Sequence, residues 1–169
     1  SSYDGKQVSL PFLISTQIMF YNKDMAEAEK IKLPEKWSDM DEFMKKASKI
    51  SGGVTQRYAT VIPGWDQWYF EPFYLNAGVK IIKDNNTTDL GEPTAVAITK
   101  KLKQWCEEKT AYWAYGKDAS SIMRQNFIDG KTFSIVHTTS LYDMYATTAK
   151  FEVGMHYLPG NVMRKSEIG

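Results

Sequence analysis

The stretch SSIMRQNFIDGKTFSIVHTTSLYDMYATTAKFEVGMHYL, residues 120–158, decides the fold class because it alternates helical and extended apolar spacing. Its pattern predicts two helices, each followed by a strand. The helices are expected over 120–129 and 141–149, and the strands over 131–136 and 151–158. Such alternation is typical of domains in which helices and a sheet pack in layers.

The preceding part of the chain continues this alternation. Strands are predicted over 7–12, 17–21, 58–62 and 79–82, and helices over 25–31, 40–50, 65–78 and 93–109. Ser38 is expected to cap the helix 40–50, and Pro93 to begin the helix 93–109. The predicted fold class is α/β, with a mixed sheet flanked by helices on both faces.

Size and charge restrict the function. With 169 residues, of which 43% are hydrophobic, the chain is expected to form one domain over residues 1–169. The formal net charge of +1 argues against nucleic acid as a partner recognised by bulk charge. No apolar run approaches the ~18 residues of a membrane span, and the single cysteine, Cys106, cannot form an internal disulfide.

Motifs for catalysis and for cofactors are missing from the sequence. There is neither a Gly-x-Ser-x-Gly turn nor a glycine-rich phosphate loop, and His137 and His156 lack the spacing of metal ligands. No cofactor, no metal and no enzymatic activity are therefore predicted. The alternative is a carbohydrate-active enzyme with Asp66 and Glu71 as acid and base, although one such pair is expected by chance among 20 acidic residues.

Two loops carry residues suited to a small ligand. In Gly64-Trp65-Asp66-Gln67-Trp68-Tyr69, flat aromatic faces lie next to amide and carboxylate groups, a combination that suits a sugar or polyol. In His137-Thr138-Thr139-Ser140, hydroxyls and free amides precede a helix, where they favour phosphate, carboxylate or hydroxyl oxygens. The alternatives are that the tryptophans are core residues and that Thr139 or Ser140 is an ordinary N-cap.

A third interpretation is a protein-interaction module. Tyr112, Trp113 and Tyr115 would then form an exposed aromatic patch for a protein partner. Packing of these aromatic residues between helices is the favoured alternative.

Five short motifs in order resemble the extracellular solute-binding proteins of ATP-binding-cassette (ABC) importers, of the maltose-binding type. They are Gly5-Lys6-x-x-x-Leu10-Pro11-Phe12, Phe20-Tyr21-Asn22-Lys23-Asp24, Pro34-x-x-Trp37 with Phe43, Asn126-Phe127-x-x-Gly130-Lys131, and Val153-Gly154-x-x-x-Leu158-Pro159. The resemblance covers nearly the whole chain. Within the family, the chain looks most like the branch that binds sn-glycerol-3-phosphate.

The resemblance implies a site and a set of partners. Ligand-binding residues carried over from the family are Ser15, Thr16, Trp65, Trp68, Thr139 and Ser140. Either Trp65 or Trp68 would stack on the ligand. His137 and the two threonines after it stand where the family has small residues, which is expected to affect specificity.

The resemblance also implies an organisation and a location. Family members have two lobes, and this chain looks like the contiguous body of the second, C-terminal lobe. The implied partners are a sugar, polyol or glycerophosphate, the first lobe of the same protein and the membrane permease of the importer. The implied location is the periplasm or the surface of a bacterial cell, held by a lipid anchor, and the implied state is a monomer.

Overall fold

The computed structural model describes residues 2–10, 12–64, 66–69, 71–83 and 85–160. The strands are β1 (Ser2–Tyr3), β2 (Lys6–Gln7), β3 (Gln17–Asn22), β4 (Lys49–Ser51), β5 (Val54–Arg57), β6 (Thr60–Pro63), β7 (Ala111–Ala114), β8 (Ser134–Thr138) and β9 (Val153–His156). The helices are α1 (Lys23–Ala28), α2 (Met40–Ala47), α3 (Glu71–Asn76), α4 (Pro93–Glu107), α5 (Ala119–Ile128) and α6 (Tyr142–Thr148). Short 3-10 turns cover Trp37–Asp39, Gln67–Tyr69 and Thr139–Leu141.

The central layer, which we call the central sheet, consists of the three-stranded sheet β8-β3-β9 and the two-stranded sheet β6-β7. β3 pairs antiparallel with both β8 and β9, and β6 pairs parallel with β7. A parallel bridge between Tyr58 and Thr132 joins the two groups of strands. The amides of Phe133 and Ser134 extend this junction by donating to the carbonyls of Tyr58 and Ala59 at 2.8 and 3.0 Å. The sheet is therefore mixed, as the sequence predicts.

Helices cover both faces of this sheet because successive strand residues point to opposite sides. In β3, Met19 belongs to one core cluster and Phe20 to the other. The Met19 cluster contains the buried faces of α2 and α4, whereas the Phe20 cluster contains those of α5 and α6. The predicted α/β fold with helices on both faces is confirmed.

Several predicted elements differ from the observed ones. Residues 79–82 form no strand, since their backbone runs into the turns that precede α4. The predicted strand 7–12 shortens to β2, and Pro11 lies outside the described residues. Conversely, β7 was not predicted, although it supplies a parallel partner for β6. The hairpin of β4 and β5 was missed as well.

Helix starts also depart from the predictions. The predicted helix 65–78 is divided into the 3-10 turn Gln67–Tyr69 and α3, which carries Pro72 in its first turn. Ahead of α2, Asp39 rather than Ser38 accepts from backbone amides, those of Glu35 and Lys36 at 3.1 and 3.0 Å. These two amides lie at the start of the 3-10 turn Trp37–Asp39, and no side chain among the described residues caps α2 itself, so the predicted Ser38 cap is wrong.

Gly154 allows β9 to approach β3 closely. It lies opposite Tyr21, and a Cβ at this position would stand 2.3 Å from Cζ of the Tyr21 ring. The ring is held in place by stacking on Phe133, with 6.3 Å between the ring centroids. Any larger residue at position 154 must therefore displace a packed aromatic ring.

We expect Gly154→Ala to lower the free energy of unfolding by about 1–3 kcal/mol, because the added methyl group overlaps the Tyr21 ring. Urea unfolding followed by circular dichroism measures this change. Gly91→Ala is the matched control, since a Cβ there meets no atom within 4 Å. The control should stay within about 0.5 kcal/mol of the parent, and an equal loss in both variants would contradict the packing account.

Candidate functional site

Three chain segments meet at one edge of the central sheet. The parallel strands β6 and β8 end at this edge with Pro63 and Thr138, and the antiparallel β3 begins there with Gln17. Gln17 and Thr138 are direct partners in the strand register. Loops at the carboxyl ends of parallel strands are where α/β proteins place ligands. The edge therefore gathers both loops that the sequence singled out.

The loops before β3 and after β8 are joined by two hydrogen bonds between Thr16 and Thr139. The Thr139 amide donates to the Thr16 carbonyl at 2.9 Å, and the Thr16 amide donates to Thr139 Oγ1 at 3.2 Å. Both residues are half-buried, and Ser15 precedes them at similar exposure. Three hydroxyl residues predicted from the sequence thus lie at one place on the edge.

Ser140 lies one residue further along, and its predicted capping role belongs to a neighbour. The Ser140 amide donates to Thr138 Oγ1 at 3.4 Å, so Thr138 caps the 3-10 turn Thr139–Leu141. The two hydroxyl oxygens of Thr138 and Ser140 lie 3.0 Å apart. The Ser140 side chain is exposed, which leaves its hydroxyl accessible at the edge.

Trp68 is tied to the same edge through Gln17. The Gln17 side-chain amide donates to the Trp68 carbonyl, and the Trp68 amide donates to Asp66 Oδ1 at 3.0 Å. The Trp68 ring packs edge-on against Tyr69, with 5.0 Å between the ring centroids. Trp68 is half-buried, whereas Trp65 lies outside the described residues. The Asp66 carboxylate, considered above as a catalytic acid or base, thus has a local structural role.

A buried histidine connects these two loops. His137 is 5% exposed, and its Nδ1 accepts a hydrogen bond from the Thr138 amide at 2.9 Å. Nδ1 is therefore unprotonated, and the neutral ring carries its proton on Nε2. Nε2 lies 3.1 Å from the Tyr69 hydroxyl, to which it donates.

Burial lowers the pKa of His137 to about 4, and the nearby Arg124 guanidinium acts in the same direction. Burial also raises the pKa of Tyr69, as does the Asp66 carboxylate. Tyr145 packs edge-on against the imidazole, with 6.0 Å between the ring centroids, and burial raises its pKa as well. The imidazole and both phenols are therefore neutral near pH 7, and the contact between His137 and Tyr69 is a hydrogen bond between two uncharged groups.

Sequence reasoning missed Gln17 and Tyr69 as members of this edge. One signal was available for Gln17, since it shares a strand face with Met19, a position where an apolar residue is expected. Gln17 is 1% exposed, and its Oε1 has no hydrogen-bond partner among the described residues. Among those same residues, no three His, Cys, Asp or Glu side chains are grouped as metal ligands would be.

The chain matches the family described as bacterial extracellular solute-binding protein over residues 1–166. The chain belongs to this family. Among its relatives, the maltodextrin-binding protein MdxE of Bacillus subtilis is 24% identical over 142 residues, which cover 79% of this chain and 32% of MdxE. The chain therefore spans about a third of the length of that relative.

Solved structures of this solute-binding family share the fold. The GacH receptor of Streptomyces glaucescens superposes with a TM-score of 0.82 at 21% identity, covering 99% of this chain and 43% of GacH. UgpB of Mycobacterium tuberculosis, solved with glycerophosphocholine, superposes with a TM-score of 0.80 at 22% identity. The match covers 99% of this chain and 42% of UgpB. The relatives named here are binding proteins, in agreement with the prediction that the chain is not an enzyme. No helix within the described ranges is both long and apolar enough to cross a bilayer.

We expect the stability of this chain to fall by about 2 kcal/mol between pH 7 and pH 5 through His137 alone. The folded-state pKa is lowered to about 4 from 6.5, so above pH 6.5 the contribution is fully present. As the pH falls from 6.5 towards 4, the unfolded chain binds a proton that the folded chain does not, and stability is lost.

Urea unfolding at pH 7 and pH 5 measures this linkage. The comparison variant is His137→Gln, which does not titrate and should lose correspondingly less stability over the same interval. Equal losses in the parent and in His137→Gln would show that the imidazole is not held neutral.

Proposed function

We propose that the chain is the second lobe of the substrate-binding component of an ABC importer, and that the sheet edge forms one wall of its ligand cleft. The observation that carries the proposal is the convergence of Thr16, Thr139 and the Trp68 loop at the carboxyl ends of β6 and β8. Family membership over residues 1–166 supports it. The coverage of less than half of the GacH and UgpB chains supports the assignment to one lobe.

The proposed ligand is a sugar, a polyol or a glycerophosphate. Trp68 would stack on its C–H face, and the hydroxyls of Ser15, Thr16, Thr139 and Ser140 would bond its oxygens. The buried Gln17 Oε1, which has no partner among the described residues, is a further acceptor that a hydroxyl group or a water would satisfy. MdxE is named for maltodextrin and UgpB was solved with glycerophosphocholine, so both chemistries occur among similar proteins. The glycerol-3-phosphate branch remains the finer proposal.

The first lobe and the permease complete the proposed mechanism. Closure of two lobes around the ligand would exclude water and strengthen the hydrogen bonds at the edge, with no covalent step. The exposed apolar segment ahead of β3 supports a covering first lobe, because Phe12 and Leu13 are 93% and 82% exposed. The protein is proposed to act outside the cytoplasmic membrane, either in the periplasm or held to the cell surface by a lipid anchor. It is proposed to be a monomer.

In the full-length protein, we expect Trp68→Ala to weaken binding of its ligand at least about tenfold through lost stacking. Ser140→Ala should weaken it about fivefold through one lost hydrogen bond. Tryptophan fluorescence titrations with maltotriose and with glycerophosphocholine provide the dissociation constants.

Ser51→Ala is the matched hydroxyl control, because Ser51 is exposed in the β4–β5 hairpin, which leads into the amino end of β6 and so lies opposite the edge. It should bind as the parent does. Parent-like binding by Trp68→Ala and Ser140→Ala would remove the edge from the ligand cleft. Absence of binding by the parent to either ligand would remove these two ligand classes.

The 169-residue chain alone should bind the same ligand at least about 100-fold more weakly than the full-length protein, because it supplies only one wall. Isothermal titration calorimetry on both proteins tests this expectation. A Kd in the chain within tenfold of the full-length value would mean that residues 1–169 hold a complete site.

A further inference from the structure

We propose that His137 is a positioning residue that couples the two ligand-contacting loops, so that the affinity for the ligand depends on its neutral ring. The inference rests on the proposed function and deepens it. Its basis is one imidazole hydrogen-bonded at both nitrogens, on one side to Thr138 at the end of β8 and on the other to the turn that carries Trp68.

The first connection runs from His137 to Thr138, Thr139 and Ser140, which we call the hydroxyl loop. The Thr138 amide donates to His137 Nδ1, and Thr138 Oγ1 in turn accepts from the Ser140 amide. A side chain without an acceptor at the Nδ1 position leaves the Thr138 amide without this partner. The amide then has to find another acceptor, which shifts the turn that presents Thr139 and Ser140.

The second connection runs from His137 to residues 64–69, which we call the tryptophan loop. His137 Nε2 donates to the Tyr69 hydroxyl, and Tyr69 adjoins Trp68 in sequence and packs against its ring. Tyr69 is 7% exposed, so its hydroxyl is held inside the protein. Gln17 fixes the Trp68 carbonyl independently. His137 therefore acts on the orientation of the Trp68 ring through Tyr69.

The surroundings keep the imidazole neutral. The elements packed against it contribute the phenols of Tyr69 and Tyr145 and the positive charge of Arg124. The Asp66 carboxylate acts on the adjoining Tyr69. Protonation would place a second positive charge near Arg124 and would convert Nδ1 from an acceptor into a donor facing the Thr138 amide.

Two conservative substitutions separate the two connections. In His137→Asn, the side-chain oxygen replaces Nδ1 and keeps the acceptor for Thr138, but nothing reaches Tyr69. In His137→Gln, the side-chain amide replaces Nε2 and keeps a donor for Tyr69. Tyr69→Phe removes the Tyr69 hydroxyl from the other side, and His156→Asn is the matched control because His156 bonds the carbonyl of Pro34 instead.

The test measures maltotriose and glycerophosphocholine affinities of the full-length protein at pH 7. His137→Asn and Tyr69→Phe should each weaken binding about tenfold, and the double variant should be no weaker than either one, because both remove the same bond. His137→Gln keeps the donor for Tyr69 but removes the acceptor of the Thr138 amide, so it should also weaken binding, by about fivefold, whereas His156→Asn should equal the parent. Independent effects that multiply in the double variant, or parent-like binding by His137→Asn, would overturn the coupling.

A second readout needs no ligand. The indole N–H resonance of Trp68, assigned by its loss in Trp68→Phe, should shift in His137→Asn and Tyr69→Phe and stay in place in His156→Asn. An unmoved resonance in His137→Asn would overturn the positioning role whether or not a ligand is found. A shifted resonance in a protein that binds neither ligand would support the role of His137 and count against the proposed ligands.

Discussion

The antiparallel pairing of β3 with β8 is the constraint on which the candidate site depends. It sets Gln17 opposite Thr138, so the residues just outside the two strands, Thr16 and Thr139, are forced into contact. A shift of one residue in this register would turn Gln17 to the opposite face and separate it from the Trp68 carbonyl. The site is therefore a product of strand register more than of loop conformation.

The same pairing explains why polar residues are buried at this edge. Gln17 and His137 occupy positions in strands whose neighbours, Met19 and Ile135, are apolar core residues. Each side chain makes one hydrogen bond to the tryptophan loop, Gln17 Nε2 to the Trp68 carbonyl and His137 Nε2 to the Tyr69 hydroxyl. Buried hydrogen bonds of this kind contribute little net stability but penalise every alternative arrangement of the loops, since each would leave a polar group unsatisfied.

Much of this arrangement follows from the sequence, and the exceptions have physical reasons. Helix α4 was predicted from Pro93 and from Leu102 and Trp105 at helical spacing, because one helix face against a core leaves a strong local pattern. β7 was missed because Ala111–Ala114 is short and its identity as a strand comes from β6, more than 40 residues away. The local spacing of apolar residues shows which side chains are buried, whereas the pairing of distant strands depends on the whole fold.

The candidate site, too, was predicted where the signal is local and missed where it depends on distant residues. Thr139 and Ser140 were predicted from their place ahead of a helix, whereas Ser15 and Thr16 were carried over from the family resemblance. The structure places Thr16 and Thr139 in contact. The link through Tyr69 joins residues 68 positions apart, and no spacing rule connects them. Whether a histidine in a strand is a core residue or a positioning residue depends on what lies beyond the sheet edge. In this protein the tryptophan loop lies beyond the edge. His137, which the sequence marked only as a departure from the family's small residues, therefore has its proposed role through contact with that loop.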